Sequence, residues 1–98
     1  MNDSTLKGLE LLLKPFRGEL NDEVTREAVT SLLYSYLNAD VRVKEYYVLC
    51  DETNNTAPII DAGQLRVVVA ILENGCEEYI YYPITIGPEG ENHDESTT

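Results

Sequence analysis

Apolar residues recur every three or four positions over residues 22–38, which is the spacing of one face of an α-helix. The stripe consists of a central line, Val24, Ala28, Leu32 and Tyr36, widened by Val29, Leu33 and Leu37. Asn21 precedes it as the predicted N-cap, and Asn38 follows it as the predicted end. The pattern therefore predicts a long amphipathic helix whose core face includes Leu32.

A shorter apolar run over residues 5–13 predicts a second helix. Asp3 or Ser4 is expected to cap its start, because short polar side chains accept hydrogen bonds from the first backbone N–H groups. Pro15 is expected to end it, since a proline disfavours the helical conformation of the residue before it. Residues 14–20 then connect the two helices.

Three later segments, residues 41–51, 65–72 and 79–86, are rich in β-branched and aromatic residues and predict β-strands. The first segment is apolar at both odd and even positions, which predicts a strand covered on both sides. Pro83 lacks a backbone donor, so we expect the third strand to lie at an edge of the sheet there.

The connections between these strands have different signals. Asn74 and Gly75 stand between the second and third strands and predict a hairpin with a type I′ turn. Residues 51–63, between the first and second strands, are rich in turn-forming side chains and predict a loop. Ile59 and Ile60 lie within that loop, so we expect part of it to pack on the sheet.

Helices followed by strands predict an α+β fold, with one long and one short helix packed on an antiparallel sheet of three or more strands. Residues 1–86 are expected to form a single domain. Residues 87–98 have no apolar side chain to bury and are expected to be a disordered acidic tail.

The net charge of the chain argues against two classes of partner. Seven lysines and arginines stand against eighteen aspartates and glutamates, so the net charge is -11. Binding of nucleic acid or of an anionic membrane surface needs the opposite sign, and we expect neither. No apolar stretch is long enough to span a bilayer, and the first residues do not resemble a signal peptide, so synthesis in a cytoplasm is expected.

The candidate chemistry is sparse. Cys50, Cys76 and His93 do not have the spacing of a metal site. Residues 51–55 offer side-chain oxygens, but they lack the spacing of a calcium loop, so a structural turn is the favoured interpretation. No nucleophile stands in a catalytic motif. We therefore expect no enzyme activity, catalytic residue, cofactor or metal.

Tyrosine is the distinctive aromatic residue, with seven copies against a single phenylalanine. Tyr79, Tyr81 and Tyr82 fall with Pro83 on the third predicted strand, and these four residues are the candidate interface. Tyrosine suits an interface because it combines contact area with a polar group. The alternative, that the rings cover the faces of the sheet within the domain, stays open.

Several segments resemble a known family. Residues 48–56 read Val-Leu-Cys-Asp-Glu-Thr-Asn-Asn-Thr, and residues 60–65 read Ile-Asp-Ala-Gly-Gln-Leu. With Phe16 and the helix start at residues 21–26, they resemble the C-terminal domain of contractile phage tail sheath proteins. The resemblance covers residues 16–86.

The chain also departs from that family. Ala57 separates Thr56 from Pro58, where the family runs directly from threonine to proline, and residues 73–75 lack the proline and arginine typical of that connection. The large N-terminal part of a sheath subunit is not in this sequence. We therefore expect a reduced relative at the neck or baseplate, or a domain of a larger chain. The sheath-initiator family of baseplates, with a similar order of elements, is a second candidate.

The resemblance implies six-fold rings whose subunits lend strands to neighbouring sheets, and it implies no catalytic residues. The hypothesis is thus a structural virion protein of a tailed phage or phage-like particle: a tail, neck or baseplate component, assembled in the host cytoplasm. Its expected partners are further copies of itself and other virion tail proteins.

A competing hypothesis is a small, acidic, soluble regulatory or inhibitor protein that mimics nucleic acid. Such a mimic should array carboxylates regularly over its folded surface. Several carboxylates of this chain stand instead in the tail, at Glu89, Glu91, Asp94 and Glu95.

Overall fold

The computed structural model describes residues 3–87, with side chains from Thr5 onward, and it shows an α+β fold. The helices are α1 (Asp3–Leu13), α2 (Glu23–Asn38) and α3 (Ala57–Asp61), and the strands are β1 (Val43–Leu49), β2 (Leu65–Glu73) and β3 (Ile80–Ile86). The strands form an antiparallel sheet in the order β1-β2-β3, which confirms the predicted fold class. Apart from Gly87, the tail predicted to be disordered lies outside the described residues.

The N-cap of α2 lies one residue later than predicted. Asp22 is the N-cap, and its carboxylate accepts a hydrogen bond from the backbone N–H of Thr25 at 2.9 Å. This bond holds the pKa of the Asp22 carboxyl below its ordinary value. The prediction of Asn21 as the cap was wrong, because the Asn21 side chain instead donates to Asn55 and to the Gln64 carbonyl.

The face of α2 that meets the core differs from the predicted one. Val29, Leu33 and Leu37 are buried, whereas Leu32 is half-buried and Val24 is 76% exposed. Neighbouring residues of a helix are separated by a rotation of about 100°, so the two apolar lines lie side by side. Tertiary packing chooses between them, and it chooses the line that the sequence pattern treated as secondary.

One face of the sheet is covered by α1 and α2. The core under these helices contains alternate residues of the strands: Val48, Val67, Val69, Ile71, Tyr82, Ile84 and Ile86. The opposite face of β1 remains open, with Glu45 and Tyr47 exposed. The prediction that β1 is covered on both sides was therefore wrong, because α1 and α2 pack on the same face.

The α1 helix ends at Leu13, before Pro15 as predicted, and the chain continues in a 3-10 turn, Lys14–Phe16. Leu9 and Leu13 are fully buried. A Cβ atom at Gly8 would lie 3.0 Å from the Tyr36 hydroxyl, so the missing side chain allows α2 to approach α1 closely. Within residues 3–87, no helix combines the length and apolarity needed to cross a bilayer.

The connection between β1 and β2 is more structured than predicted. Residues 51–63 contain α3, with Pro58 in its first turn, where proline is favoured. Gly75 has φ of 84°, and the Cys76 N–H donates to the Glu73 carbonyl at 3.0 Å, so a turn forms at the predicted place between β2 and β3. The β3 strand begins at Ile80, one residue after its predicted start.

Asn74, at this turn, also bonds to the segment before β1. Its amide donates to the Val41 carbonyl at 2.7 Å, and its backbone N–H donates to the Arg42 carbonyl at 2.9 Å. The turn therefore anchors the chain just before β1.

Candidate functional site

The backbone of β2 shows which groups of β3 face outward. The Arg66 N–H donates to the Asn55 side-chain oxygen at 2.8 Å, and the Arg66 carbonyl accepts from the Asn55 amide at 3.0 Å. Both bonds point away from β3, so Arg66 and Thr85 form a non-hydrogen-bonded pair of the ladder. Two residues further along β2, Val68 and Pro83 also form a non-hydrogen-bonded pair, which agrees with the missing backbone donor of proline.

The outer edge of β3 therefore presents the backbone of Tyr81, Pro83 and Thr85. Tyr81 and Thr85 each offer one N–H donor and one carbonyl acceptor, while Pro83 offers only its carbonyl. In residues 3–87 the sheet ends at this strand. An edge of this kind is a template for pairing with a strand of another chain.

The open face of the sheet carries a tyrosine face, defined as Tyr47, Tyr79 and Tyr81, which are 56%, 38% and 65% exposed. Tyr47 of β1 and Tyr81 of β3 are both register partners of Ala70 on β2, so the two tyrosines lie in one row across the sheet. The Tyr79 hydroxyl donates to the Glu45 carboxylate at 2.6 Å, and this bond raises the pKa of Tyr79.

The structure divides the four predicted interface residues. Tyr79, Tyr81 and Pro83 are exposed, on or beside the edge strand. Tyr82 is only 5% exposed and belongs to the core under the helices, where burial raises the pKa of its hydroxyl. Its side chain therefore contributes to packing within the domain and is not available as a contact surface.

The predicted four-residue interface does not include Tyr47, which joins the tyrosine face from β1. The adjacent pair Tyr46 and Tyr47 gave no indication of which ring faces outward, because the segment is apolar on both faces. The structure turns Tyr46 toward α2, where its ring lies 5.5 Å from that of Tyr34 and its hydroxyl donates to Asn38. That contact leaves Tyr47 on the open face.

The Asp-Glu-Thr-Asn-Asn run forms a turn built from its own side chains. Asp51 accepts hydrogen bonds from the Thr53 hydroxyl at 2.5 Å and from the Thr53 N–H at 2.9 Å, and these bonds lower the pKa of its carboxyl. Asn54 donates to the carbonyls of Leu49 and Arg66. In the described part of the chain, no three His, Cys, Asp or Glu side chains gather closely enough to hold a metal ion.

Asn55 is the buried centre of this turn, with 2% of its surface exposed. Its side-chain oxygen accepts from Asn21 at 2.9 Å and from the Arg66 N–H, and its amide donates to the carbonyls of Asp51 and Arg66, each at 3.0 Å. Arg26 completes the network by donating to the Asn21 side-chain oxygen at 2.6 Å. Asn55 thus replaces a strand residue beside Arg66, where β1 has already ended.

The two cysteines are expected to react very differently with iodoacetamide. Cys50 is buried, and burial raises the pKa of its thiol to about 11, so almost no thiolate forms at neutral pH. Cys76 is exposed in the turn before β3. Mass spectrometry should find one adduct, at Cys76, on the native protein and two adducts in denaturant. Equal labelling of both sites in the native protein would contradict this packing.

Comparisons with protein-family models, with curated proteins and with solved structures found no match to this chain. The resemblance to tail sheath domains therefore rests on the sequence segments that suggested it.

Proposed function

We propose that this protein is a structural component that joins neighbouring subunits by strand addition at the edge of its sheet. The observation that carries the proposal is the outward-facing backbone of Tyr81, Pro83 and Thr85, next to the exposed tyrosine face. The resemblance of several sequence segments to tail sheath domains supports the further proposal that this component belongs to a phage tail, neck or baseplate.

Strand addition suits the chemistry of this edge. A partner strand would satisfy the outward donors and acceptors of Tyr81 and Thr85, and such main-chain bonds supply affinity with little dependence on sequence. The tyrosine face would add contact area on one side of the new strand. Pro83 removes one donor from the middle of the edge, which limits indiscriminate pairing with other strands.

The proposed partners are further copies of this chain and other tail proteins. Two copies can share this contact head to tail, because the edge of one and the lent strand of the next are different surfaces. When the rotation that relates each copy to the next returns to the first copy, such a head-to-tail contact generates a closed ring. The ring form is part of the proposal, as is the location in the virion.

The Tyr81→Pro substitution tests this mechanism. The Tyr81 N–H faces away from β2, so its loss is expected to leave the domain folded while removing a donor that the partner strand needs. Sedimentation of the purified protein should show loss of assembly, and thermal unfolding should show a folded domain. Tyr81→Thr is the matched control, since threonine keeps the N–H and suits a strand; it should assemble with only mild weakening.

Assembly of Tyr81→Pro at the level of the parent protein would show that this edge is not the contact. A structure of the assembled particle is the more demanding test. If the chain meets its neighbours only through helix faces, strand addition is wrong even where the protein is a virion component.

A further inference from the structure

A groove of about 570 Å³ runs between α1 and the last residues of β3. Its apolar part includes Leu11 and Leu13 of α1 and Ile84 and Ile86 of β3. Thr85, whose backbone faces the outer edge, also lines the groove. A strand added to this end of β3 would therefore lie beside α1, with one of its faces turned toward the helix.

The charge of this groove is opposite to that of the protein. Lys7, Lys14 and Arg17 line it and are exposed, and Glu10 is the anionic side chain among the lining residues. Three of the seven cationic residues of a chain with net charge -11 thus meet in one place, with a surplus of two positive charges. We call this feature the basic groove.

These cations are not committed to ion pairs in the described part of the chain. The salt bridge found in residues 3–87 joins Arg42 to Asp40, and neither residue lines the basic groove. Lys7 on α1 and Lys14, the first residue after it, are separated by about 10 Å along the helix axis, two helical turns. Alternate side chains on one face of an extended strand lie about 7 Å apart, so carboxylates at every second position come within reach of both flexible lysine side chains.

We propose that the segment added at β3 is acidic: an extended stretch of a partner chain whose carboxylates face Lys7, Lys14 and Arg17 across the basic groove. This inference rests on the proposed strand addition and names the chemistry of the added strand. The backbone of β3 would supply affinity, and the basic groove would supply the choice of partner.

The negative charge of the rest of the protein strengthens the preference of an acidic segment for the basic groove. A net charge of -11 repels an acidic segment from most approaches, while the basic groove attracts it to one. Complementary charge of this kind acts mainly on partner selection and on the rate of encounter. It would also set the position of the incoming strand, because its carboxylates must lie alongside α1.

The test is fluorescence anisotropy with a labelled, end-blocked peptide of alternating threonine and glutamate, compared with the same peptide carrying glutamine for glutamate. The full chain should bind the glutamate peptide about tenfold more tightly, the sum of several exposed ion pairs. Added sodium chloride should reduce that preference, because exposed charges are screened.

Variants then test which residues cause the preference for the glutamate peptide. The triple variant Lys7→Gln, Lys14→Gln, Arg17→Gln should bind both peptides equally, at the level of the glutamine peptide on the parent protein. Lys44→Gln is the matched control: it removes an exposed cation from β1, at the opposite edge of the sheet, and should keep the preference. Tyr81→Pro should bind neither peptide well, because both need the β3 edge.

Three results would overturn the proposal. Equal binding of the two peptides by the parent protein would remove charge selection but leave strand addition standing. An unchanged preference in the triple variant would place the selecting charges elsewhere. No binding of either peptide would reject an acidic strand at this groove, and the sedimentation of Tyr81→Pro would decide separately whether the edge is used for assembly.

Discussion

Replacing Asn55 by alanine is expected to destabilise the domain by about 2–4 kcal/mol, because a buried side chain would be lost together with the several hydrogen bonds that it makes. Asn55 serves the N–H and carbonyl of Arg66 and the carbonyl of Asp51, and it also receives the Asn21 amide. Urea unfolding followed by circular dichroism measures the loss. A change below about 1 kcal/mol would mean that water replaces the amide at little cost.

Two further variants separate the causes. Asn55→Asp keeps the size of the side chain and the oxygen that accepts two hydrogen bonds, but it removes the amide group that donates two. It should also be clearly destabilising at neutral pH, where a buried carboxylate is unfavourable. Asn54→Ala is the neighbouring control. Asn54 is half-buried and donates to two carbonyls, one of which Asn55 also serves, so its loss should be smaller.

Leu33→Ala is expected to cost about 2–5 kcal/mol, the range for truncating a fully buried leucine. Leu33 is completely buried in the core cluster that contains residues of α1, α2 and the sheet, and alanine would leave a cavity there. The measurement is again the free energy of unfolding in urea.

Leu32→Ala is the matched control for this prediction. It makes the same chemical change one residue away in the same helix, so helix propensity contributes equally to both variants. Because Leu32 is half-buried, its loss should be distinctly smaller than that of Leu33. The reverse order would restore the helix face that the sequence pattern favoured.

The elements that the sequence predicted well have strong local signals. The end of α1 before Pro15, the end of α2 at Asn38 and the edge position of β3 at Pro83 each follow from the conformational limits of one or two residues. These limits act within a few bonds of the backbone. They can therefore be inferred without knowing which segments meet in the fold.

The predictions that failed depended on contacts between distant segments. Asn21 looked like a cap, but Asn55 and the Gln64 carbonyl, more than thirty residues away, draw its side chain inward. The apolar pattern of α2 could not rank Leu33 above Leu32, since both lines are continuous. Only the arrangement of α1 and the sheet decides which line is buried.

The candidate interface shows the same limit. Successive residues of a strand point to opposite faces, so Tyr81 and Tyr82 lie on different faces of the sheet, but all of these tyrosines entered the interface prediction together. Separating them required knowing that α1 and α2 cover one face of the sheet. The basic groove had no sequence signal, because Lys7, Lys14 and Arg17 meet the end of β3 only in the folded chain.

The contact between α1 and β3 has a consequence for the order in which this protein can be made. Leu9 and Leu13 share a core cluster with Ile84 and Ile86, which are synthesised about seventy residues later. Domains fold as units during synthesis, so this one is expected to close only when β3 has emerged. A chain released before Ile86 would keep α1 uncovered and exposed to proteases.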